Sequence, residues 1–203
     1  MKILAIGRNY ADHIAELNNE RPDEPVIFTK PDTALLKNNT PFYYPDFTKE
    51  IHYEVEVLLR ICKEGKYISP KFAHRYYDAI GLGVDFTARD LQAKAKAKGL
   101  PWALAKGFNG SAPVSHFVEK EKFADLKNIN FDLKVNGEVK QEGNTSLMLW
   151  DFEEIICYIS QFITLRKGDI IFTGTPKGVG EIKVGDRLEG HIEGEKFLDF
   201  DIK

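Results

Sequence analysis

Tyr53-Glu54-Val55-Glu56-Val57-Leu58-Leu59-Arg60-Ile61 is the stretch whose reading decides the fold. Its β-branched and aromatic residues at a two-residue period predict a strand, with Tyr53, Val55 and Val57 on one face and Glu54, Glu56 and Leu58 on the other. Two carboxylates therefore share a face. A second apolar run, Ala79 to Val84, predicts another strand, and Asp85 ends it. A hard cation such as Mg2+ or Mn2+ takes carboxylate oxygens and keeps positions for water or substrate. Glu54, Glu56 and Asp85 are accordingly the candidate metal ligands. The same Glu-x-Glu pattern also describes the solvated face of an edge strand.

Working outward, Lys2 to Ile6 predicts an opening strand and Gly7 to Leu17 a short helix that Asn18-Asn19 stops. Pro22, Pro25, Pro31, Pro41 and Pro45 then leave room for brief strands and turns. Ser69 as N-cap with Pro70 at the first position predicts a helix to Tyr77. Thr87 to Lys98 is helix-compatible and closed by Gly99, with Lys94, Lys96 and Lys98 as a solvated face. Asn136-Gly137 predicts a hairpin, and Asp151 with Glu154 a capping box ahead of an apolar face of Ile155, Ile156, Ile159, Phe162 and Ile163. Asp169 to Thr173 and a final pair between Arg187 and Lys203 read as strands.

The 203 residues suit one domain, 1–203, and 43% hydrophobic with 29% charged residues suits a globular chain. Twenty-eight Lys and Arg against 31 Asp and Glu leave a formal charge of -3, no broad footprint for nucleic acid or an anionic membrane. Cys62 and Cys157 form no Cys-x-x-Cys pair and read as buried thiols. No apolar run approaches the roughly 18 residues of a membrane span, and the start lacks a signal-peptide layout, so the expected address is cytoplasmic.

His13 and Glu16 are three residues apart on one helix face, where a carboxylate can orient an imidazole as a general base. A surface ion pair has the same spacing. His52 shares the face of Glu54 by alternation but is left outside the ligand set; His74, His116 and His191 show no partner pattern.

Several signatures occur in a fixed order: Gly7-Arg8-Asn9-Tyr10-Ala11-Asp12-His13, His52-Tyr53-Glu54-Val55-Glu56, Asp85-Phe86-Thr87-Ala88-Arg89-Asp90, Ala105-Lys106-Gly107-Phe108, Val135-Asn136-Gly137-Glu138 with Gln141-Glu142-Gly143, and Phe172-Thr173-Gly174-Thr175-Pro176-Lys177-Gly178-Val179-Gly180. Together they resemble the fumarylacetoacetate hydrolase superfamily over essentially the whole chain, and most closely its short acylpyruvase and oxaloacetate decarboxylase branch. The resemblance implies an α+β, mainly β fold: a mixed β-sandwich roll with a short N-terminal lid helix, assembled as a homodimer. It implies Mg2+, or Mn2+, held by Glu54, Glu56 and Asp85.

By the same resemblance Lys106 is the active-site lysine, Arg89, Gln92 and Thr175 touch substrate, and His13 with Glu16 forms a catalytic dyad on the lid. Each has a plainer reading: a surface lysine for Lys106, an ion pair with Asp90 for Arg89, an exposed helix side chain for Gln92, a hairpin turn around Thr175. The implied activity is on a small 2-oxo acid through an enolate, as acylpyruvate hydrolase, oxaloacetate decarboxylase or tautomerase. The alternatives are the isomerase or decarboxylase of homoprotocatechuate-type ring cleavage (2-hydroxyhepta-2,4-diene-1,7-dioate isomerase/5-oxopent-3-ene-1,2,5-tricarboxylate decarboxylase), and a non-catalytic metal- or 2-oxo-acid-binding protein.

Overall fold

The computed structural model describes residues 1–17 and 20–203, so the expected helix stop at Asn18-Asn19 lies outside the described residues. In chain order the main elements are β1 (Ile3–Gly7), α1 (Ala11–Glu16), β2 (Val26–Lys30), β3 (Ile51–Tyr53), β4 (Val55–Ile61), α2 (Pro70–Ala73) and β5 (Tyr77–Val84). They are followed by α3 (Arg89–Ala97), α4 (Ala103–Lys106), β6 (Asn130–Val135), β7 (Glu138–Asn144), α5 (Phe152–Phe162), β8 (Ile170–Phe172), β9 (Arg187–Ile192) and β10 (Glu195–Asp201), with two-residue strands and short 3-10 turns between.

The larger sheet runs β2-β1-β8-β4-β5, with Val118–Glu119 on its edge. β1 and β8 are parallel, and the other main pairs are antiparallel. A second, antiparallel sheet runs β7-β6-β9-β10. The sheets close on each other through one core, in which Val55, Val57, Leu82 and Val84 meet Phe131, Leu133, Leu188 and Phe200. Gly190 permits the approach, since a Cβ there would lie 2.7 Å from Leu82 Cδ2. The reverse face of the larger sheet buries Ile3, Ala5, Leu58 and Phe172 in a second cluster. A mainly β, α+β sandwich results, and β4 is apolar on both faces except at Glu56 and Arg60, because both faces are covered.

Tertiary pairing shortens several expected helices. α1 begins at Ala11 rather than Gly7, because Arg8 has a left-handed backbone (φ 60°) and Tyr10 bridges to Met148. α2 ends at Ala73, and Tyr77, expected to close it, instead opens β5 opposite Ile61. Thr87 and Ala88 pair with β3, so α3 begins at Arg89. The strand expected from Tyr53 to Ile61 breaks at Glu54, with β3 in a small separate sheet and β4 in the large one. In α5 the capping box forms as expected, Asp151 Oδ1 accepting from the Glu154 N–H at 3.0 Å and Glu154 Oε2 from the Asp151 N–H at 2.8 Å. Phe162, placed on its apolar face by spacing, is 62% exposed because the helix ends there, beyond the packed face. Cys62 and Cys157 are free but half-buried rather than buried, on the flanks of their elements. Among the described residues no helix is long and apolar enough to cross a membrane.

Asn9 ties the β1–α1 turn to the rest of the fold. Fully buried, it donates from Nδ2 to the carbonyls of Thr173 (2.8 Å) and Trp150 (3.1 Å) and accepts at Oδ1 from the Trp150 N–H (2.9 Å). Asn9→Ala strands these buried groups and should lower unfolding free energy by about 2–4 kcal/mol, read by urea denaturation.

Candidate metal centre and active site

The pairing of β4 with β5 brings the acidic residues together. Val55 pairs with Val84 and Glu56 with Gly83, and one step beyond, the Asp85 N–H donates to the Glu54 carbonyl at 2.8 Å. Side chains alternate, so Glu54, Glu56 and Asp85 all project to the same face of the pair. They are 5%, 2% and 1% exposed, and one oxygen from each lies within 4.8 Å of the others. The solvated-edge reading of Glu54 and Glu56 therefore fails, since both strands are interior. Gly174, just past β8, donates its N–H to Glu56 Oε2 at 2.6 Å. It has φ +103°, and a Cβ there would fall 2.7 Å from Asn9 Cβ, so glycine is required.

Cations surround this acidic cluster. Lys106, at the end of α4, donates to Asp85 Oδ2 (2.6 Å), Glu54 Oε2 (2.8 Å) and Thr87 Oγ1 (2.5 Å). Arg89 reaches Glu54 Oε1 at 2.5 Å and Gln92 Oε1 at 2.7 Å. Lys30 lies 2.6 Å from Asp85 Oδ1 and donates to the carbonyls of Lys106 (2.5 Å) and Ser111 (2.9 Å).

The charges divide the carboxyls. Burial alone would raise Glu54, but Lys106, Arg89 and His13 hold it well below the usual carboxylate range. Burial, then the charges of Asp85 and Glu54, push Glu56 well above that range. Lys106 is desolvated by burial, yet Asp85 and Glu54 raise it above an ordinary lysine; in Lys30 burial prevails and lowers it. An oxygen-only donor set, with one carboxyl pushed upward by burial and then by its neighbours' negative charge, fits a hard dication, which would offset that repulsion.

α1 covers the cluster. His13, 6% exposed, has Nδ1 3.2 Å from Glu16 Oε2. Glu16 Oε1 accepts from the Gly178 N–H at 3.0 Å and Lys177 pairs with Asp12 at 3.0 Å, so the helix is latched to the 174–178 loop. In the same loop Thr175 Oγ1 accepts from Gln141 Nε2 at 2.9 Å, while Gln141 Oε1 accepts from the Val55 N–H at 2.9 Å. His13, the acidic residues, Arg89, Gln92, Lys106 and Thr175 line one narrow cleft of about 30 Å3. A wider groove of about 710 Å3, between residues 120–127 and 145–154, contains none of these groups.

Eight of the nine candidates from the sequence thus line one cleft, and the ninth, Glu16, reaches it through His13. Three local readings change. Arg89 pairs with Glu54 rather than Asp90, whose carboxylate instead accepts from Thr48 Oγ1 (2.6 Å). Gln92 is buried against Arg89 rather than exposed. Lys96, read as part of a solvated face, is exposed but lines the cleft mouth. His52 bonds Glu50 at 3.1 Å, because the break at Glu54 puts it in another sheet. His191 has a partner that spacing did not reveal, Asp132 at 2.9 Å on the paired strand. Sequence reasoning missed Lys30, whose one visible signal is a lysine ending an apolar run, and gave Gln141 no role although it stands in a quoted signature.

The fumarylacetoacetate (FAA) hydrolase C-terminal family model matches residues 2–201. The chain belongs to the fumarylacetoacetate hydrolase family. This family member is 45% identical over 201 residues to the mitochondrial oxaloacetate tautomerase of Bos taurus, covering 99% of this chain and 91% of that protein. It is 44% identical over 203 residues to the mitochondrial oxaloacetate decarboxylase of Dictyostelium discoideum, covering 99% and 93%. The fumarylpyruvate hydrolase of Pseudomonas aeruginosa, solved in complex with Mn2+ and pyruvate, superposes with a TM-score of 0.94 at 33% identity, over 100% of this chain and 89% of that one.

Two outcomes test the centre. The Glu56 carboxyl must lose its proton to bind a cation, so Mn2+ affinity should weaken as pH falls through its raised pKa, by up to about tenfold per pH unit. Calorimetry in two buffers of different ionisation enthalpy should show proton release, and Glu56→Gln should abolish it. Lys30→Met, which leaves buried Asp85 Oδ1 and several carbonyls without their cation, should cost about 3–5 kcal/mol of stability by denaturant titration.

Proposed function

We propose that this chain is a divalent-metal enzyme acting on small 2-oxo acids, as acylpyruvate hydrolase and/or oxaloacetate decarboxylase or tautomerase. The observation that carries this reading is the buried meeting of Glu54, Glu56 and Asp85 with Lys106 and, across one cleft, the His13–Glu16 pair. Glu54, Glu56 and Asp85 would hold Mg2+ or Mn2+. When bound, the cation supplies Lewis-acid polarisation of the carboxylate and 2-oxo oxygens of the substrate.

The chain's own residues do the rest. Arg89 and Gln92 orient the substrate carboxylate, and Thr175 offers a hydroxyl. Lys106 places positive charge at the oxygen where an enolate develops, in a site that excludes water and so strengthens the interaction. Glu16 accepts from His13 Nδ1–H, which leaves Nε2 as the base. For an acylpyruvate, His13 takes a proton from water as its oxygen attacks the distal carbonyl. The carbon-carbon bond breaks, its electron pair forms the pyruvate enolate, and C3 is protonated. For oxaloacetate, loss of CO2 gives the same enolate without water, and tautomerisation needs only proton transfer at C3. The homodimer and the cytoplasmic address belong to the same reading, the dimer on family resemblance.

Purified protein with Mg2+ or Mn2+ should release pyruvate from acetylpyruvate or oxaloacetate, or speed oxaloacetate keto-enol exchange, followed by ultraviolet absorbance and a coupled pyruvate assay. Tight oxalate binding with no turnover of any of them would make it a binding protein instead. His13→Ala should cut hydrolysis roughly 10²–10⁴-fold and decarboxylation less; equal retention of both would remove the dyad from the mechanism.

A further inference from the structure

Gln141 is the one fully buried residue of β7, a strand otherwise half-buried or exposed on the edge of the smaller sheet. A bulge precedes it. Leu133 of β6 pairs with Gln141 but Lys134 with Val139, so Lys140 is an extra residue, a device that re-aims the neighbouring side chain. The Gln141 side chain leaves its own sheet and crosses to the candidate site. Its Oε1 accepts from the N–H of Val55, the residue between Glu54 and Glu56, at 2.9 Å. Its Nε2 donates to the Pro176 carbonyl and to Thr175 Oγ1, both at 2.9 Å. The loop can lie this close to β7 because residue 178 is glycine (φ +95°); a Cβ there would overlap the Lys140 carbonyl.

These partners fix the direction of every hydrogen bond. A backbone N–H only donates and a carbonyl only accepts, so Val55 and Pro176 together exclude a flipped amide. Nε2 gives one hydrogen to Pro176 and the other to Thr175. Thr175 Oγ1 is therefore an acceptor toward Gln141, and its own proton goes elsewhere. Thr175 is 3% exposed and lines the cleft beside the acidic residues and Lys106, and no described residue accepts from its hydroxyl. A ligand oxygen in the cleft is the acceptor that remains. A glutamine that only tied the two sheets together would need Val55 and Pro176 alone; the bond to Thr175 is the one that reaches the cleft.

We propose that Gln141 is a positioning residue: by donating to Thr175 Oγ1 it commits the Thr175 hydroxyl to donate into the cleft, where that hydroxyl takes an anionic oxygen of the bound 2-oxo acid. The inference rests on the 2-oxo-acid reading of the site and assigns the direction of one contact within it.

Oxalate binding to Mn2+-saturated protein, followed by calorimetry in a double-mutant cycle, tests this. Gln141→Glu keeps an acceptor for Val55 but faces Thr175 with a carboxylate oxygen, which draws the hydroxyl proton out of the cleft. Oxalate affinity should fall roughly 10- to 100-fold, the range of a lost hydrogen bond to a charged group. Thr175→Val should lose about as much, and Thr175→Ser should keep most of it. In the Thr175→Val background Gln141→Glu should then change affinity about twofold or less, since no hydroxyl is left to turn. The charge of the new carboxylate acts in both backgrounds and cancels from the comparison. Gln141→Met, which adds no charge, repeats the cycle and should show coupling of the same sign. Losses that simply add, or a fall in Mn2+ loading that accounts for the loss of oxalate, make Gln141 a tie between the sheets and overturn the proposal alone. Wild type that takes up Mn2+ but no oxalate overturns the 2-oxo-acid reading itself, and the proposal with it.

Discussion

One backbone hydrogen bond, from Asp85 N–H to the Glu54 carbonyl, fixes the geometry on which the candidate site depends. It continues the β4–β5 ladder one step past the end of β5, where the sheet gives way to the turn into α3. A slip of one residue would turn Glu54 and Glu56 into the core of Phe131 and Leu188 and bring Val55 and Val57 to the cleft. Both sheet faces are apolar apart from this corner, so the penalty for any other register is steep. Lys106, Arg89 and Gly174 reach the acidic residues from three other segments, and each contact presupposes that register.

Three buried carboxylates would not tolerate one another without the cations around them. The two lysines serve differently. Lys30 is wholly enclosed and spends its donors on the carbonyls of Lys106 and Ser111 as well as on Asp85, so it fixes backbone. Lys106 borders the cleft and bridges two carboxylates with its ammonium. Glu56, without a lysine partner and facing two negative neighbours, has a backbone N–H for its described hydrogen bond. It is the member of the set whose state responds most directly to added positive charge.

Much of this was legible in the chain. Alternation in residues 53–61 places Glu54 and Glu56 on the face of Leu58, and the structure puts Leu58 in the core opposite to that of Val55 and Val57. The capping box of α5 and the Asn136-Gly137 hairpin are local and read directly. Illegible were events decided by distant pairing: the break at Glu54, the capture of Tyr77 by β5, and the capture of Thr87 by β3. The convergence of Asp85 on Glu54 had the same difficulty. Spacing gives no register between two strands, and only the ordered family signatures supplied it. Lys30 escaped because a lysine at a strand end looks the same whether it is solvated or walled in by carbonyls.

The loop from Gly174 to Gly178 has two grips. Its first N–H holds Glu56 and its last N–H holds Glu16 on α1, with only Thr175, Pro176 and Lys177 between. Any shift of Glu56 that draws Gly174 with it also strains the Gly178 contact, and any lifting of α1 pulls in the opposite sense. The floor and roof of the cleft are thus strung on one short tether. Displacing the roof would strain the segment that also holds the floor, so the cover of the cleft and the hydrogen bonding of Glu56 are coupled through three residues.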